Sequence, residues 1–425
     1  MQIDELYKIF LQNPLVETDT RKLKKGAIFF ALKGPNYNGN QYCMQALEAG
    51  ASYCIADEIS EYTNDRILLV EDSLATLQQL AKKHRQQLNI PFIAITGSNG
   101  KTTTKELVHK VLATKYISYT TVGNLNNHIG IPLTILRVQN DAEIVIIEMG
   151  ANHQKEIEEY CKYAMPTHGI ITNIGKAHLE GFGSEEGVKK GKGELFAYLK
   201  ITGGTVFINH DYDYLKEMGT GISSVITYGT HNADYTGNII SDKSFLEVAI
   251  TKGASLPSIK TQLVGGYNLP NILTAVCVGK FFKVDDEKIK SALENYAPSN
   301  SRSQLIERDS NKIILDAYNA NPTSMKAAIE NFAKMTGDRK VLILGSMMEL
   351  GNDSAMEHSL IIDLITKYKW HNVVLAGPDY KDPPQEFILV NNAAEAAEWF
   401  KLQHFQNSQI LIKGSRSNQM EKVIE

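Results

Sequence analysis

A glycine-bounded turn, Gly97-Ser98-Asn99-Gly100, runs directly into Lys101, Thr102 and Thr103. These residue types suit a polyphosphate. Successive backbone N–H groups in such a turn face an anion, a lysine reaches the outer phosphates, and a threonine hydroxyl can sit on Mg²⁺. The flanking sequence supplies the matching elements. Phe92, Ile93, Ala94 and Ile95 form the short apolar run of a buried parallel strand, and Leu107, Val108, Val111 and Leu112 recur at helical spacing. The pattern is shorter than GxxxxGK[ST], because Ile95 stands where the first glycine of that pattern would be. An ordinary strand-to-helix turn can contain a stray Lys and Thr. Strand, helix and consecutive threonines at 102–104 together point instead to a nucleotide triphosphate site.

Other chemistry-bearing residues sit at the ends of apolar runs. The run at 144–147 closes on Glu148 and opens EMGANH; a carboxylate in that position beside a phosphate loop suits an Mg²⁺ ligand. Asn173 and His178 follow in GIITNIGKAHLEG, and each could equally be a satisfied loop residue. Residues 123–132 pack Asn124, Asn126, Asn127 and His128 more densely than turn chemistry requires. Residues 185–200 read as a helix with Lys189, Lys190, Lys192 and Glu194, for which a solvated lysine face is a sufficient account. Asn268 and Asn271, in GGYNLPN, open an apolar helix as a cap or as readers of a base edge. Near the N-terminus, Asp19-Thr20-Arg21 and the stretch from Lys33 and Gly34 to Asn40 read as polar turns. Alternatively they form a diphosphate or sugar site served by Arg21 and Lys33.

The elements that position these residues divide the chain. At 425 residues it is too long for one compact domain. Residues 1–88 hold strand-like runs at 27–32, 52–56 and 67–70 and helical stretches at 41–49 and 73–88; Lys82, Lys83, His84 and Arg85 read as the solvated end of the second helix. Residues 89–297 alternate strand and helix, with strands at 92–96, 144–148, 169–174 and 206–209, the pattern of a parallel sheet covered on both faces. Residues 297–302 have the composition of a hinge. From 298 to 425 the pattern restarts with strands at 313–315, 341–344, 373–376, 387–390 and 410–412, and DAYNANP, GSMMELG and KGSRSN at their ends. The expected fold class is α/β.

Composition narrows the function. Hydrophobic residues at 43% and charged residues at 22% are ordinary for soluble globular protein, and a net charge of −4 leaves no basic footprint for nucleic acid or anionic membrane. Cys43, Cys54, Cys161 and Cys277 are scattered, which suits small buried hydrophobes in a reducing compartment. Asp4 and Glu5 stand where a signal peptide would carry Lys or Arg, and no apolar run approaches membrane length. A cytoplasmic protein without membrane insertion is expected.

TGSNGKTTTKE, GNLNNHIGIPLT, EMGANH, NIGKAHLEGFGS, GGYNLPN, DAYNANPTSM and KGSRSNQME together resemble the Mur ligases of peptidoglycan synthesis, in that family's order and over nearly the whole chain. DAYNANP and TTTKE favour the type that adds D-alanyl-D-alanine to UDP-N-acetylmuramoyl-tripeptide. The resemblance implies three domains: a small α/β UDP-binding domain, a central P-loop parallel-sheet ATPase domain and a C-terminal Rossmann-like domain. It implies ATP and two Mg²⁺ sites, with the tripeptide carboxylate phosphorylated by ATP and the dipeptide amine displacing phosphate. Carried over by position, Gly97, Ser98, Asn99, Gly100, Lys101, Thr102 and Thr103 hold the triphosphate. Thr102 and Glu148 serve the first metal, and His178 and a carbamylated Lys192 the second. Asn268 and Asn271 lie near adenine, while Arg302 and Asp316 reach the nucleotide from the C-terminal side. Asp19, Thr20, Arg21, Lys33 and Gly34 serve the UDP group, and Asn126, Asn127, Asn319, Asn321, Lys413, Ser415 and Arg416 the other substrate parts. Asn38-Gly39-Asn40-Gln41-Tyr42 departs from the family's commoner Asp-Gly-His-Asp/Glu-Phe. Small-molecule substrates and a monomer are implied. A sister ligase, a folylpolyglutamate synthase-like ligase, a non-catalytic ATP sensor and a P-loop kinase or GTPase are the competing readings. DAYNANP and TTTKE weigh against the sister ligase, the UDP-site-like N-terminal region against the folate enzyme, the retention of Lys101, Glu148, His178 and Lys192 against the sensor, and the lack of an NKxD-like motif with two extra domains against the kinase or GTPase.

Overall fold

The computed structural model describes residues 2–58, 64–298 and 301–425. Residues 299 and 300, within the hinge-like stretch, lie outside the described residues. Three separate sheets carry the chain, with a small two-stranded hairpin beside the first.

The first sheet is parallel, in the order Val16–Glu17, Ile28–Phe30, Tyr53–Ala56, Ile67–Leu69. Lys33–Gly34 and Tyr37–Asn38 form the hairpin beyond its second strand. The helix Ser73–Arg85 leaves this unit with Asp72 as its cap, accepting from Ala75 N–H at 2.8 Å. Its basic end is only half solvated: Lys82 is exposed and Lys83 partly so, but His84 and Arg85 are not. His84 is 4% and Arg85 6% exposed, because the helix packs onto the helices Gly130–Leu136 and Glu156–Ala164 of the next unit. Arg85 donates to the carbonyls of Ala164 (3.0 Å), Met165 (3.0 Å) and Leu88 (2.5 Å) and lies 3.8 Å over the Phe92 ring. Helical periodicity marks which face is charged; it carries no signal that carbonyl ends elsewhere in the chain will receive that charge.

The second sheet has nine strands. Tyr235–Ser241, Ser224–Gly229, Thr205–Asn209, His168–Ile171, Phe92–Thr96, Ile144–Glu148 and Ser118–Thr120 run parallel. Glu247–Lys252 and Ile259–Lys260 extend the far edge antiparallel. That antiparallel ribbon is an addition to the expected parallel sheet, and its half-exposed strands lack the continuous apolar runs that mark the buried ones. Phe92–Thr96 sits between Ile144–Glu148 and His168–Ile171. The chain winds away from it in both directions, so it marks the switch point where open α/β sheets bind ligands.

The third sheet runs Gln304–Arg308, Asn311–Asp316, Gln409–Lys413, Lys340–Gly345, Asn372–Ala376, Ile388–Val390; only the first pair is antiparallel. The C-terminal ends of its central strands carry Asp316, Ser346 and Lys413. No helix among the described residues is long and apolar enough to cross a membrane.

Candidate functional site

A cavity of about 880 Å³ opens at the C-terminal end of Phe92–Thr96 and takes its lining from both the second and third units. Its floor is the turn that the sequence singles out. Gly97 (φ 137°) and Gly100 (φ 77°) hold backbone conformations that favour glycine. A Cβ on Gly97 would stand 2.0 Å from Thr172 Oγ1, and one on Gly100 2.7 Å from Asn271 Oδ1. The loop is fixed from the neighbouring strand end: Ser98 N–H donates to Asn173 O (2.9 Å) and Asn99 N–H to Asn173 Oδ1 (3.0 Å). Lys101 opens the helix Lys101–Leu112 and folds back to donate to Gly97 O at 2.7 Å. Removal from water pushes its pKa down, while Glu148 pulls the other way.

Glu148 is 1% exposed, and its carboxylate accepts from the Thr102 hydroxyl (2.8 Å) and from Asn126 Nδ2 (2.8 Å). Thr121 accepts Glu148 N–H at 3.0 Å and receives Lys105 Nζ on its carbonyl at 2.9 Å, which ties the carboxylate to the phosphate helix. Among the described residues no lysine or arginine lies within ion-pair distance of Glu148. A buried carboxylate without a cation is costly. Hard oxygen donors around an uncompensated buried charge, beside the N-terminus of the helix Lys101–Leu112, fit a magnesium nucleotide.

Lys192 and Lys190, indistinguishable by composition, separate here. Lys190 is exposed; Lys192 is 0% exposed, donates to Ala151 O at 2.8 Å and lies 4.9 Å from the Phe182 ring centre. Burial, with Lys101 nearby, holds its pKa well below the lysine range. Lys192 itself stands behind the cavity lining, whereas Ala151 belongs to it. His178 lines the cavity and enters the short helix Leu179–Phe182 with a left-handed backbone (φ 53°). The Glu349 carboxylate lies against its Nδ1, and that contact holds the Glu349 pKa below the usual carboxylate range.

The third unit contributes Arg302, Asp316, Asn319 and Lys413 to the lining. Lys413 is 1% exposed and donates to Asp316 Oδ2 at 2.6 Å; the Arg302 guanidinium stacks 3.6 Å over the Tyr318 ring. Asn126, Asn127, Asn268 and Asn271 line the opposite wall, with Thr103 beside Lys101. Asn268 occupies the cap position of Leu269–Phe281 without capping it. Its Nδ2 donates to Val264 O (2.9 Å) and its Oδ1 accepts from Asn271 Nδ2 (2.8 Å). Asn271 in turn accepts the Thr104 hydroxyl at 3.0 Å, so the phosphate helix and the asparagine pair form one unit.

Eight expected substrate residues lie outside this cavity's lining, three of them in the third unit. Asn321 caps Pro322–Lys334, accepting Ser324 N–H at 2.9 Å, and donates across the units to Asn99 Oδ1 at 2.8 Å. Ser415 is 3% exposed and accepts Met348 N–H at 3.1 Å, while Arg416 is exposed and pairs with Glu421 at 2.9 Å. Asp19, Thr20, Arg21, Lys33 and Gly34 belong to the first unit, also away from the lining. Arg21 grips Asp19 through two 2.8 Å bonds and lowers its pKa to about 2; Lys33 pairs with Asp57 (3.1 Å) and Glu58 (3.2 Å). Sequence reasoning missed the stacked Tyr212 and Tyr214 in the wall (centroids 5.4 Å apart) and Glu349 behind His178. The tyrosines lie in no quoted motif. Glu349 stands inside GSMMELG, a strand-end signal that was visible.

Two family descriptions match the chain: the Mur ligase middle domain over residues 95–279 and the Mur ligase, glutamate ligase domain over residues 301–416. A Bacillus subtilis (strain 168) protein named UDP-N-acetylmuramoyl-tripeptide–D-alanyl-D-alanine ligase is 38% identical over 362 residues, which cover 82% of this chain and 79% of that one. The Escherichia coli (strain K12) protein of the same name is 32% identical over 426 residues, covering 96% and 92%. The crystal structure of the MurF ligase from Thermotoga maritima in complex with ADP superposes with a TM-score of 0.87 at 27% identity, covering 97% of each chain.

Proposed function

The chain belongs to the Mur ligase family, and from that premise we propose that it joins D-alanyl-D-alanine to UDP-N-acetylmuramoyl-tripeptide. It is an ATP-dependent amide-forming ligase of peptidoglycan precursor synthesis. One observation carries the reading at this site: the phosphate loop, the buried Glu148 and the cations Arg302 and Lys413 of the third unit all face a single cavity.

A carboxylate is a poor electrophile, so the tripeptide carboxylate attacks the γ-phosphate and becomes an acyl phosphate, with ADP leaving. The dipeptide amine then attacks the acyl carbon, its proton is lost, and inorganic phosphate departs. Two anions must approach each other in the first step. Lys101, Arg302 and Lys413 supply fixed positive charge to that approach, and closing walls keep water from the acyl phosphate. Thr102 and Glu148 would hold one magnesium ion; His178 and Lys192 would hold a second. Bound Mg²⁺ neutralises phosphate oxygens and draws charge off the leaving group. For Lys192 to ligate a cation it must become an anion. Its amine, dry and held well below the lysine pKa range, is of the kind that reacts with CO₂ to give a carbamate. Asn268 and Asn271 suit the adenine edge, and the cluster of Asp19, Thr20, Arg21, Lys33 and Gly34 suits the UDP group; Asn126, Asn127 and Asn319 suit the peptide parts.

The domains proposed are 1–88 for UDP-substrate binding, 89–297 for ATP and 298–425 for the closing unit. A cytoplasmic monomer acting on small molecules completes the reading. The test is phosphate release from ATP with UDP-N-acetylmuramoyl-tripeptide, with and without D-alanyl-D-alanine, alongside the product mass. Release that needs both, with the mass of one dipeptide gained, is expected. Acceptance of a single amino acid in place of the dipeptide would make it a sister ligase, and no release under any combination would leave an ATP-binding protein.

A further inference from the structure

His178 and Glu349 come from different units and meet side chain to side chain. His178 follows the strand His168–Ile171; Glu349 follows Lys340–Gly345 of the third sheet. Both hold left-handed backbones, at φ 53° and φ 62°, which are uncommon for residues other than glycine. Such strain persists where the surroundings over-determine it. The surroundings here are a backbone bond from Glu180 N–H to Glu349 O (3.1 Å) and the Glu349 carboxylate against His178 Nδ1. The cavity lining takes in His178 and, among the described residues, not Glu349. The imidazole of this cavity residue therefore meets a carboxylate at Nδ1, and no hydrogen bond from the described residues takes its Nε2. A metal-ligating histidine needs that arrangement: a carboxylate on the far N–H fixes the tautomer and ring orientation and raises the basicity of the ligating nitrogen.

Resting on the two-metal reading above, we infer that Glu349 is a positioning residue which orients His178 for the second metal ion, so that this ion binds tightly only when the C-terminal unit is docked. The inference separates two roles at one interface. Lys176, two residues before His178, pairs with Glu357 at 2.6 Å and donates its backbone N–H to Thr323 Oγ1 at 3.2 Å. That tie also docks the third unit but does not touch the imidazole. Among the described residues, Glu349 is the one whose charge meets the ring.

The experiment is a Mn²⁺ titration of the full-length protein, read by the electron paramagnetic resonance of free Mn²⁺, with a nonhydrolysable ATP analogue and bicarbonate present. Wild type is compared with Glu349→Gln, Glu349→Asp and Lys176→Ala. Two Mn²⁺ sites are expected in wild type. In Glu349→Gln the weaker one should lose roughly 10–100-fold in affinity, the range typical of outer-shell carboxylates. Glu349→Asp should recover part of the loss, and Lys176→Ala should leave both sites nearly intact. Glu349 is half exposed on its side chain (47%), so neither Glu349 change should move the urea midpoint far, whereas Lys176→Ala leaves the buried Glu357 unpaired and should lower it. Two sites of unchanged affinity in Glu349→Gln would overturn the inference alone. Equal weakening in Lys176→Ala would reduce Glu349 to one interface contact among several and overturn its positioning role. A single site in wild type would overturn the two-metal reading and this inference with it.

Discussion

Lys192→Met should make the ligand-free protein more stable while abolishing turnover. Methionine keeps the length and apolar stem of the side chain in a site where lysine is 0% exposed, so no large cavity is left. What disappears is an amine that water would keep protonated up to a pKa near 10.4. In the fold its pKa is held well below that by burial and by Lys101. At pH 7 the cost of carrying this group inside is therefore bounded by its deprotonation, about 1.36 kcal/mol for each of roughly 3.4 pH units, or at most about 5 kcal/mol. The hydrogen bond to Ala151 O at 2.8 Å returns about 1 kcal/mol. A net gain for Lys192→Met follows, bounded at about 4 kcal/mol by that difference, and it appears as a raised melting temperature. The sign with pH is fixed as well. Between the folded pKa and 10.4 the unfolded chain binds more protons, so wild-type stability at this site rises with pH and the advantage of methionine shrinks toward pH 10. Scanning fluorimetry with chelator, at pH 7 and at higher pH, reads this directly, and an activity assay with added short carboxylic acids reads the other half. Lys192→Ala should be nearly inactive and partly rescued by such acids. A Lys192→Met protein that is less stable at pH 7, or that turns over normally, would refute the reasoning; rescue at Lys190→Ala in place of Lys192→Ala would move the assignment.

Lys101→Ala should remove ATP-dependent turnover while UDP-sugar binding, measured by calorimetry, stays intact; equal loss of both would mean that the two sites are not separate. Arg85→Ala strips the donors from three carbonyls at the junction of the first and second units and should cost about 3 kcal/mol in urea denaturation, with a midpoint unchanged from wild type counting against that brace. His168 is packed among Phe207, Phe281 and Phe282, and burial pushes its pKa down to about 4. The unfolded chain takes up that proton near pH 6.5, so stability should fall as pH drops from about 6.5 to 4, by on the order of 3 kcal/mol for this group. His168→Phe should flatten that part of the pH–melting curve, and an equally steep curve in the variant would exclude His168 as its source.

How much was legible in the sequence follows from the range of the interactions involved. The strand Phe92–Thr96, its glycine turn and the following helix are local, and periodicity placed them to the residue. The buried strands Ile144–Glu148 and Asn372–Ala376 were equally plain as apolar runs. The antiparallel strands Gln304–Arg308 and Glu247–Lys252 were not, since half-exposed edges mix polar and apolar residues without a continuous signal. Lys190 and Lys192 were separable only through the family's register, because which of two lysines on a helix is dry depends on what packs there. Asn321 shows the converse. Its motif drew attention, and the structure spends its side chain on a helix cap and on Asn99. Sites for individual ligand atoms remain proposals, while the convergence of the phosphate turn, Glu148, His178 and the third-unit residues Arg302, Asp316 and Lys413 on one cavity is geometry.

The two junctions of the central unit differ in a way that bears on the reaction. The first unit is joined by a whole helix, Ser73–Arg85, laid against two others, with a guanidinium buried among carbonyls and a histidine at 4% exposure beside it. Separating those surfaces would leave buried carbonyls without donors, so the first unit is held fast relative to the turn at 97–100. The third unit meets the central one through polar pairs: Asn321, the cap of Pro322–Lys334, with Asn99, Glu357 of the helix Ser354–Ile365 with Lys176, and Glu349 with His178. Of these, the Glu349 and Lys176 side chains are 47% and 40% exposed, while Asn321 and Glu357 are buried. An acyl phosphate must be made from bulky substrates that have to enter and then be shielded from water. We propose that the opening and closing this demands falls to the C-terminal unit, which would carry Arg302, Lys413 and Glu349 to the cavity.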